Sequence, residues 1–215
     1  MIEVCHYTKE IKGKLVLDDV NCVFEAGVVY GLMGTNGSGK TMLMRAIAGL
    51  ILPTKGHVSI DGRVLGEKGV SFPESIGVLI ENPSFIDSYT GFKNLHLLAS
   101  IQKKISDDQI RKTLERVGLD PCDKRKYRKY SLGMKQKLGI AAAIMEDPQI
   151  VILDEPLNAL DEDGVRRVHA IIEEVKQAGH TVIIACHDKA ELLSMVDVIY
   201  KIENGKIADR EVVEE

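Results

Sequence analysis

The sequence predicts an α/β protein in which a mainly parallel sheet is covered by helices on both faces. Three short and almost continuous apolar runs support this prediction, at residues 28–32, 150–153 and 181–185. Strands that are apolar on both faces are typical of parallel sheets buried between layers of helices. With 215 residues, the chain is long enough for one compact domain with a substantial core.

The segment between the second and third runs predicts an amphipathic helix. Acidic residues at 161–163 open the segment and Gly179 closes it, as is typical of helix starts and ends. The apolar positions between them recur at helical spacing: Val165, Val168, Ile172 and Val175. A strand, a helix and a second strand in this order predict a right-handed parallel crossover.

Residues from about 86 to 148 have helical rather than strand periodicity. Ser106 and Gln109 form a capping box, and Gly118 follows the apolar positions of that helix. A later helix has one apolar face, made of Met134, Leu138, Ala141 and Met145. We therefore predict a helical subdomain at 86–148, inserted into a core formed by 1–85 and 149–215.

Composition and charge exclude several classes of protein. Hydrophobic residues make up 45% and charged residues 28%, which is ordinary for a globular protein. The net charge of −4 gives no global attraction to nucleic acid or acidic lipid. No apolar run reaches the roughly 18 residues that span a bilayer, and residues 1–6 lack signal-peptide character. We expect a cytoplasmic protein whose membrane role depends on a partner.

The four cysteines are predicted to be reduced thiols. They include no CxxC pair and no histidine at metal-ligand spacing, so a disulfide framework or a zinc site is not expected. They are Cys5, Cys22, Cys122 and Cys186.

A basic run at 124–129 alternates with Tyr127 and Tyr130. Such a run can bind nucleic acid, or it can be a solvated or interface surface. Because the chain is acidic overall and has no nucleic-acid module, we favour the second interpretation and expect no nucleic-acid partner.

Residues 34–41 match the pattern GxxxxGK[ST] between an apolar strand and a helix bearing Leu43, Ala46, Ile47 and Leu50. Backbone N–H groups of such a glycine-rich loop point at phosphates, the lysine reaches the β and γ oxygens, and the hydroxyl binds Mg²⁺. The alternative is a glycine-rich turn that binds nothing. We predict an ATP and Mg²⁺ site with these contact residues: Gly34, Thr35, Asn36, Gly37, Ser38, Gly39, Lys40, Thr41 and Met42.

Asp154 follows the apolar run at 150–153 and is predicted to hold the Mg²⁺, while Glu155 orients or deprotonates a water. A carboxylate with a pKa of ~4.3 is a weak base. The function of Glu155 is therefore mainly positioning, and Lys40 and the metal stabilise the transition-state charge. The alternative is a solvated acidic pair before Pro156.

Three further segments resemble motifs of the ATPase subunits of ABC (ATP-binding cassette) transporters. Residues 130–136 are similar to the family signature, commonly LSGGQ; residues 157–161 are similar to the D-loop; and His187 matches the switch histidine. With the phosphate loop and Asp154, the resemblance covers essentially the whole chain. It implies an α/β P-loop NTPase core that is RecA-like, with a mainly parallel sheet, antiparallel N-terminal strands and an inserted α-helical subdomain.

The resemblance also assigns roles within a dimer. Ser131 and Gly133 are implied to contact the γ-phosphate on the opposite subunit, so that two copies enclose ATP as a homodimer. His187 is implied to bind the γ-phosphate and to act in catalysis with Glu155 and Lys40. Without the resemblance, Ser131 would be interpreted as an ordinary helix cap and His187 as a structural histidine.

Three positions depart from the family pattern. Glu81 replaces the Q-loop glutamine, where a carboxylate can still serve Mg²⁺ or water, which makes it a third metal candidate with Thr41 and Asp154. The signature carries Leu132 and Met134 in place of glycine and glutamine. The adenine-stacking aromatic is replaced by Ile11, with Tyr7 nearby, so we expect weaker or less selective base binding.

The pattern of 80–83 together with 131–136 resembles the bacitracin- and lantibiotic-type branch, whose transporters export antimicrobial peptides. The implied function is ATP hydrolysis that powers transport through separate transmembrane permease subunits, which hold the chain at the inner face of the cell membrane. The alternatives are a non-transport switch based on ATP-dependent dimerisation and a P-loop kinase of small molecules.

Overall fold

The computed structural model describes residues 1–67 and 69–213 and contains two sheets. The strands are β1 (Ile2–Ile11), β2 (Lys14–Phe24), β3 (Val29–Met33), β4 (Lys55–Ile60), β5 (Arg63–Val64), β6 (Ile76–Leu79), β7 (Ile150–Asp154), β8 (Thr181–Cys186), β9 (Val198–Glu203) and β10 (Lys206–Val212). The helices are α1 (Lys40–Ile47), α2 (Gly91–Gln102), α3 (Asp107–Arg116), α4 (Leu132–Ile144), α5 (Glu162–Gln177) and α6 (Lys189–Leu193).

The larger sheet has the order β10-β9-β3-β8-β7-β6 and is parallel except for its β10–β9 edge. The three apolar runs of the sequence form β3, β7 and β8, and every residue of β7 and β8 is buried. The smaller sheet is antiparallel, with the order β2-β1-β4-β5. The predicted α/β class, with a mainly parallel sheet and antiparallel N-terminal strands, is confirmed.

Helix α5 forms where the acidic start and the glycine end predicted it. The Asp161 side chain caps the helix by accepting a hydrogen bond from the Gly164 N–H at 3.0 Å. Gly179 takes the left-handed conformation, with φ 82°, just beyond the last turn. The buried stripe of Val168, Ile172 and Val175 belongs to the cluster that covers one face of the parallel sheet.

Helix α1 is shorter than the sequence predicted. Leu43, Ala46 and Ile47 are buried, but Leu50 lies beyond the helix and is 55% exposed. The helix ends because the chain turns at Gly49, whose φ of 73° is outside the helical region. The prediction that this helix bears Leu50 is wrong.

The three α-helices between residues 86 and 148 are capped by side chains that the sequence supplies, whereas a short 3-10 helix at Tyr127–Lys129 has no side-chain cap. Thr90 caps α2, Ser106 and Gln109 form the predicted capping box of α3, and Ser131 caps α4. The described residues of this stretch contain no strand. The division into a helical subdomain at 86–148 and a core at 1–85 and 149–215 remains a prediction.

Helix α4 lies directly against strand β6, and a glycine permits this close approach. A Cβ added at Gly77 would overlap the backbone carbonyl of Ala143. On the other face of the parallel sheet, α1 and the antiparallel sheet enclose a second core, in which Phe24, Tyr30 and Tyr200 pack ring to ring. The loops that follow β3, β7 and β8 are thus supported from both faces.

Over residues 1–67 and 69–213, no helix has the length and apolar character needed to span a membrane.

We predict that Gly77→Ala destabilises the protein strongly, because the added methyl group meets backbone that cannot move alone. Overpacking typically costs about 1–3 kcal/mol, and a clash with backbone belongs at or above the upper end. The matched control is Gly31→Ala, also in a strand, where the atoms nearest to the new Cβ belong to the Leu192 side chain, at 2.9 Å, and not to backbone. In urea unfolding, the decrease in the free energy of unfolding should be clearly larger for Gly77→Ala than for Gly31→Ala. Equal decreases would contradict the proposed backbone contact.

Candidate nucleotide-binding site

The loop between β3 and α1 has a backbone conformation that depends on its glycines. Gly37 and Gly39 have φ values of 79° and 117°, a region that favours glycine. A Cβ at Gly34 would overlap the carbonyl oxygen of Ile202. Thr35, Asn36 and Gly37 are exposed at the tip, and Met42 lies half-buried in the first turn of α1. The tip is thus open to a ligand.

Lys40 is a buried cation held by two weak partners. It is only 6% exposed, and its Nζ donates to the carbonyl oxygens of Gly34 at 2.6 Å and Thr35 at 3.3 Å. Within residues 1–67 and 69–213, no carboxylate lies within ion-pair distance of this ammonium group. The buried Ser38 hydroxyl next to it has no hydrogen-bond partner in the same part of the chain. Both groups fit an anion with several acceptor oxygens, such as a polyphosphate.

Thr41 and Asp154 meet at the carboxyl edge of the parallel sheet. The Thr41 hydroxyl donates to Asp154 Oδ2 at 2.8 Å, and Asp154 is 8% exposed. Burial raises the pKa of the Asp154 carboxyl above its ordinary value, although the Thr41 hydroxyl and the Lys40 ammonium act in the opposite direction. A hydroxyl and a carboxylate side by side offer the oxygen ligands that Mg²⁺ prefers. The two residues therefore fit the predicted metal site.

Glu155 and His187 follow two neighbouring strands and are hydrogen-bonded to each other. His187 Nδ1 lies 2.9 Å from Glu155 Oε2, and the Glu155 N–H donates to the Ala185 carbonyl at 2.9 Å. Glu155 has a positive φ of 50°. A positive φ is uncommon for residues other than glycine, and those that have one are concentrated at functional sites. The sequence associated each residue with the γ-phosphate separately, whereas the structure also joins them to each other.

Gln136 is a residue of this site that the sequence analysis left without a role. Its Nε2 donates to the carbonyl oxygens of Glu155 at 3.0 Å and Pro156 at 3.2 Å, and the side chain is buried. It thereby fixes the backbone that carries the Glu155 carboxylate. The available signal was a polar residue that begins a buried helical stripe, continued by Ile140 and Ile144.

The signature segment starts α4 and packs on the D-loop. The Ser131 hydroxyl accepts from the Met134 N–H at 3.2 Å. A Cβ at Gly133 would lie 2.5 Å from the carbonyl oxygen of Ala159, so glycine permits this contact. Lys137 Nζ contacts Asp161 Oδ1 at 3.1 Å. Over the described residues no hydrogen bond joins Ser131 or Gly133 to the phosphate loop, and their predicted contact with a second copy remains a prediction.

Glu81 is held by Arg45 rather than by the other metal candidates. Glu81 follows β6 with a positive φ of 61°, and its Oε1 lies 2.8 Å from an Arg45 guanidinium nitrogen on α1. Its charge nevertheless helps to raise the pKa of Asp154, so it lies in the same electrostatic environment. Glu81 as a metal ligand remains a prediction. Arg45 was not identified from the sequence, because nothing local links it to residue 81.

The structure separates the two candidates for adenine stacking. Tyr7 is buried in the core, and its hydroxyl donates to the Ile51 carbonyl at 3.0 Å, so its ring is not available to a base. Ile11, at the end of β1, is 39% exposed. In the basic run, the rings of Tyr127 and Tyr130 are also buried, with their hydroxyls bonded to backbone groups.

The ABC transporter family model matches residues 17–158 of this chain. The chain belongs to the ABC transporter family. The matched range begins in β2 and ends at Asn158, so it includes the phosphate loop, the signature segment, Asp154 and Glu155.

Sequence relatives of this ABC protein cover nearly all of it. YybJ of Bacillus subtilis (strain 168), an uncharacterised ABC transporter ATP-binding protein, is 47% identical over 99% of this chain and 97% of its own length. The bacitracin transport ATP-binding protein BcrA of Enterococcus faecalis is 36% identical, over 97% of this chain and 68% of its own. The lantibiotic transport ATP-binding protein SrtF of Streptococcus pyogenes is 34% identical, over 96% and 89% respectively.

Solved structures show the same fold. An ATP-binding subunit of an ABC transporter superposes with a TM-score of 0.89 at 25% identity, covering 99% of this chain and 90% of its own. The cassette MJ0796, in a dimeric post-hydrolysis state bound to ADP and Pi, gives a TM-score of 0.89 at 22% identity with full coverage of both chains. The protein is an ATP-binding subunit of the ABC transporter type, and the ATP-binding domains of this family are ATPases.

We predict that Asp154→Asn raises the free energy of unfolding of this ABC subunit without nucleotide. Because burial raises the pKa of Asp154 in the folded state, its ionised form destabilises the fold once the pH exceeds the unfolded-state value. At neutral pH the substitution removes this destabilisation, and an asparagine oxygen can still accept from Thr41. Thermal unfolding should show a higher midpoint for the variant, with a smaller additional shift from Mg-ATP than in the wild type.

The matched control for this prediction is Asp209→Asn. The exposed Asp209 carboxylate is bonded to Lys201 at 2.8 Å, and this bond lowers its pKa. Ionisation of Asp209 stabilises the fold at pH values above the unfolded-state pKa, which is the opposite of the effect at Asp154. Asp209→Asn should therefore lower the free energy of unfolding slightly. Equal effects of the two substitutions would contradict the role of burial at Asp154.

Proposed function

We propose that two copies of this chain bind and hydrolyse Mg-ATP between them and that hydrolysis drives transport through separate membrane permease subunits. The observation that carries the proposal is Lys40, a buried cation without a carboxylate partner in the described chain, beside the Thr41–Asp154 pair. Glu155 and His187 complete the set at the same sheet edge.

In this proposal the phosphate loop and Lys40 grip the triphosphate. Lys40 exchanges two neutral carbonyl partners for phosphate oxygens, so that the acceptor as well as the donor is then charged. Thr41 and Asp154 would hold Mg²⁺, which when bound neutralises developing charge on the transferred phosphoryl group. Glu81 can reach this site as a further oxygen ligand only if its bond to Arg45 opens.

Glu155 positions the attacking water in this mechanism. One of its carboxylate oxygens is bonded to His187 in the described structure. When the His187 side chain turns to the γ-phosphate, this oxygen becomes free to accept a hydrogen bond from water. Gln136 holds the Glu155 backbone in place meanwhile, so the carboxylate moves by side-chain rotation alone.

Dimerisation supplies the remaining contacts to the nucleotide. Ser131 is exposed at the N-terminus of α4, where backbone N–H groups and the helix dipole favour an anion. Gly133 lies in the same first turn. The dimeric state of the similar cassette MJ0796 supports a homodimer in which these residues of one copy reach the γ-phosphate held by the other.

The proposed substrate class is antimicrobial peptides, and the support comes from the relatives BcrA and SrtF, named for bacitracin and lantibiotic transport. In this arrangement the chain is cytoplasmic and peripheral at the inner face of the cell membrane. The core at 1–85 and 149–215 binds nucleotide, and the helical subdomain at 86–148 passes its movement to the permease.

We expect Glu155→Gln to retain Mg-ATP binding and to lose turnover by about 10²–10⁴-fold, the scale of a positioned general base. The glutamine amide lacks the negative charge with which the carboxylate orients the water and takes up its proton, whereas the phosphate loop stays intact. Steady-state phosphate release and nucleotide titration calorimetry measure the two effects. Glu162→Gln, a nearby exposed acid on α5, is the control and should behave as wild type; undiminished turnover in Glu155→Gln would refute the assignment.

Transport is tested separately by isolating the chain from its native membrane. We expect it to co-purify with a polytopic membrane protein in a stable complex, because no helix of the described residues could span the membrane by itself. Recovery of the chain alone, with ATP-dependent dimerisation as its only response, would favour the switch over the transport motor.

A further inference from the structure

We propose that Glu155, Cys186 and His187 form a binding site for a thiophilic divalent cation of the Zn²⁺ class, and that occupation of this site arrests ATP hydrolysis. The arrest rests on the proposed function of Glu155 and His187. The binding of the metal does not depend on it.

The three side chains already converge at the ends of β7 and β8. One ligand atom from each, a carboxylate oxygen, Sγ and an imidazole nitrogen, lies within 4.8 Å of both others. The shortest separation is 2.9 Å, between Glu155 Oε2 and His187 Nδ1. Bonds of about 2.0–2.3 Å at tetrahedral angles place zinc ligands roughly 3.3–3.6 Å apart. Small side-chain rotations are therefore enough to admit the ion.

The strand register creates this proximity. Asp154 pairs with Ala185 in the parallel ladder between β7 and β8. The residues that follow this pair are Glu155, just beyond the end of β7, and Cys186, the last residue of β8, and His187 comes directly after Cys186. The Glu155 N–H also bonds to the Ala185 carbonyl, which fixes the spacing between the two strand ends. The ligands are thus borne by a rigid part of the sheet.

The ligand chemistry selects zinc over magnesium. A thiolate, an imidazole and a carboxylate suit Zn²⁺, whereas Mg²⁺ takes oxygen ligands such as those of Thr41 and Asp154. Three protein ligands leave a fourth position for water. The Cys186 thiol donates to Glu191 Oε2 at 3.5 Å, and binding of the ion must break this bond, because a metal-bound thiolate has no proton to donate.

Binding must displace a proton from the sulfur. Burial raises the pKa of the Cys186 thiol to about 12, so the group is a neutral thiol without metal. On binding, a Zn–S bond forms, the S–H bond breaks, and the proton leaves to solvent, with no change of oxidation state. His187, whose side chain is 61% exposed, provides the open side from which the ion enters.

The proposed site differs from the expectation that the cysteines bind no zinc. That expectation rested on the absence of CxxC and CxxH spacings, which describe sites made from one local segment. Here the third ligand comes from a different strand, 31 residues before Cys186. Only the pairing of β7 with β8 brings Glu155 to the sulfur.

Zinc at this position would bind Glu155 and His187, the two groups proposed to act in hydrolysis, and would leave the phosphate loop free to bind nucleotide. The Glu155 carboxylate could no longer orient water, and His187 could no longer turn to the γ-phosphate. Lys40 and Thr41 are not ligands, so ATP binding should persist. We expect occupied protein to bind Mg-ATP and to lose turnover by about 10²-fold or more, the scale of a lost general base.

The binding experiment uses the full chain without an affinity tag or nucleotide, titrated first with Co²⁺ and then with Zn²⁺. Wild type should bind one Co²⁺ with a thiolate-to-cobalt charge-transfer band, which Zn²⁺ then abolishes by displacement. In Cys186→Ser the band should disappear and the affinity for Zn²⁺ should fall by more than the roughly 10–100-fold that loss of an outer-sphere partner gives. Cys122→Ser, which alters an exposed cysteine away from the site, should match wild type.

Circular dichroism establishes that each variant is folded. Should Cys186→Ser not fold, His187→Ala is the second variant, since its side chain lies at the surface; it should keep a folded spectrum and lose zinc affinity. Absence of the thiolate band in wild type, or its persistence in Cys186→Ser, would overturn the site.

Measurements of ATP turnover distinguish a failure of the zinc site from a failure of the proposed function. Zinc should inhibit phosphate release in wild type and in Cys122→Ser, but much less in Cys186→Ser relative to its own zinc-free rate. Equal inhibition of all three would overturn the link between this site and hydrolysis. Undiminished turnover in Glu155→Gln would instead refute the catalytic assignment and leave the metal titration standing.

Discussion

The parallel pairing of β3, β8 and β7 is the constraint on which the candidate site depends. Parallel strands end at the same edge of a sheet, so the loops that follow them must meet there. Three such loops carry Lys40, Glu155 and His187. Because every residue of β7 and β8 is buried, helices on both faces hold this edge in place. The proposed site is thus built at the end of two fully buried strands.

The candidate site buries charged side chains at this edge of the sheet, and their burial affects the stability of the protein. Lys40 and Asp154 are both nearly inaccessible to water, and within residues 1–67 and 69–213 their side chains are hydrogen-bonded to hydroxyl and carbonyl groups. Desolvation disfavours the ionised Asp154 carboxylate, so its burial lowers stability until a ligand of complementary charge arrives. In the proposed complex, Mg-ATP would supply both an anion for the ammonium and a cation for the carboxylate. Ligand binding and stability are therefore linked at this site.

Hydrogen bonds connect the helical segment to the groups that act on the nucleotide. Gln136 of α4 holds the Glu155 backbone, and Lys137 of the same helix contacts the cap of α5. On the opposite side, Arg45 joins α1 to Glu81, just beyond β6. A movement of α4 against the core would disturb these contacts directly. In a transporter, this is where permease movement and hydrolysis can be coupled.

The sequence by itself determined the features that depend on neighbours along the chain. Apolar runs gave the buried strands, helix caps gave the starts of α3, α4 and α5, and the glycine pattern gave the phosphate loop. The tertiary structure alone decided which side chains from separate elements meet, including Gln136 with Glu155 and Arg45 with Glu81. It also brought Cys186 to Glu155. Periodicity and capping act over a few residues, whereas these contacts depend on strand order and helix packing, which no local pattern records.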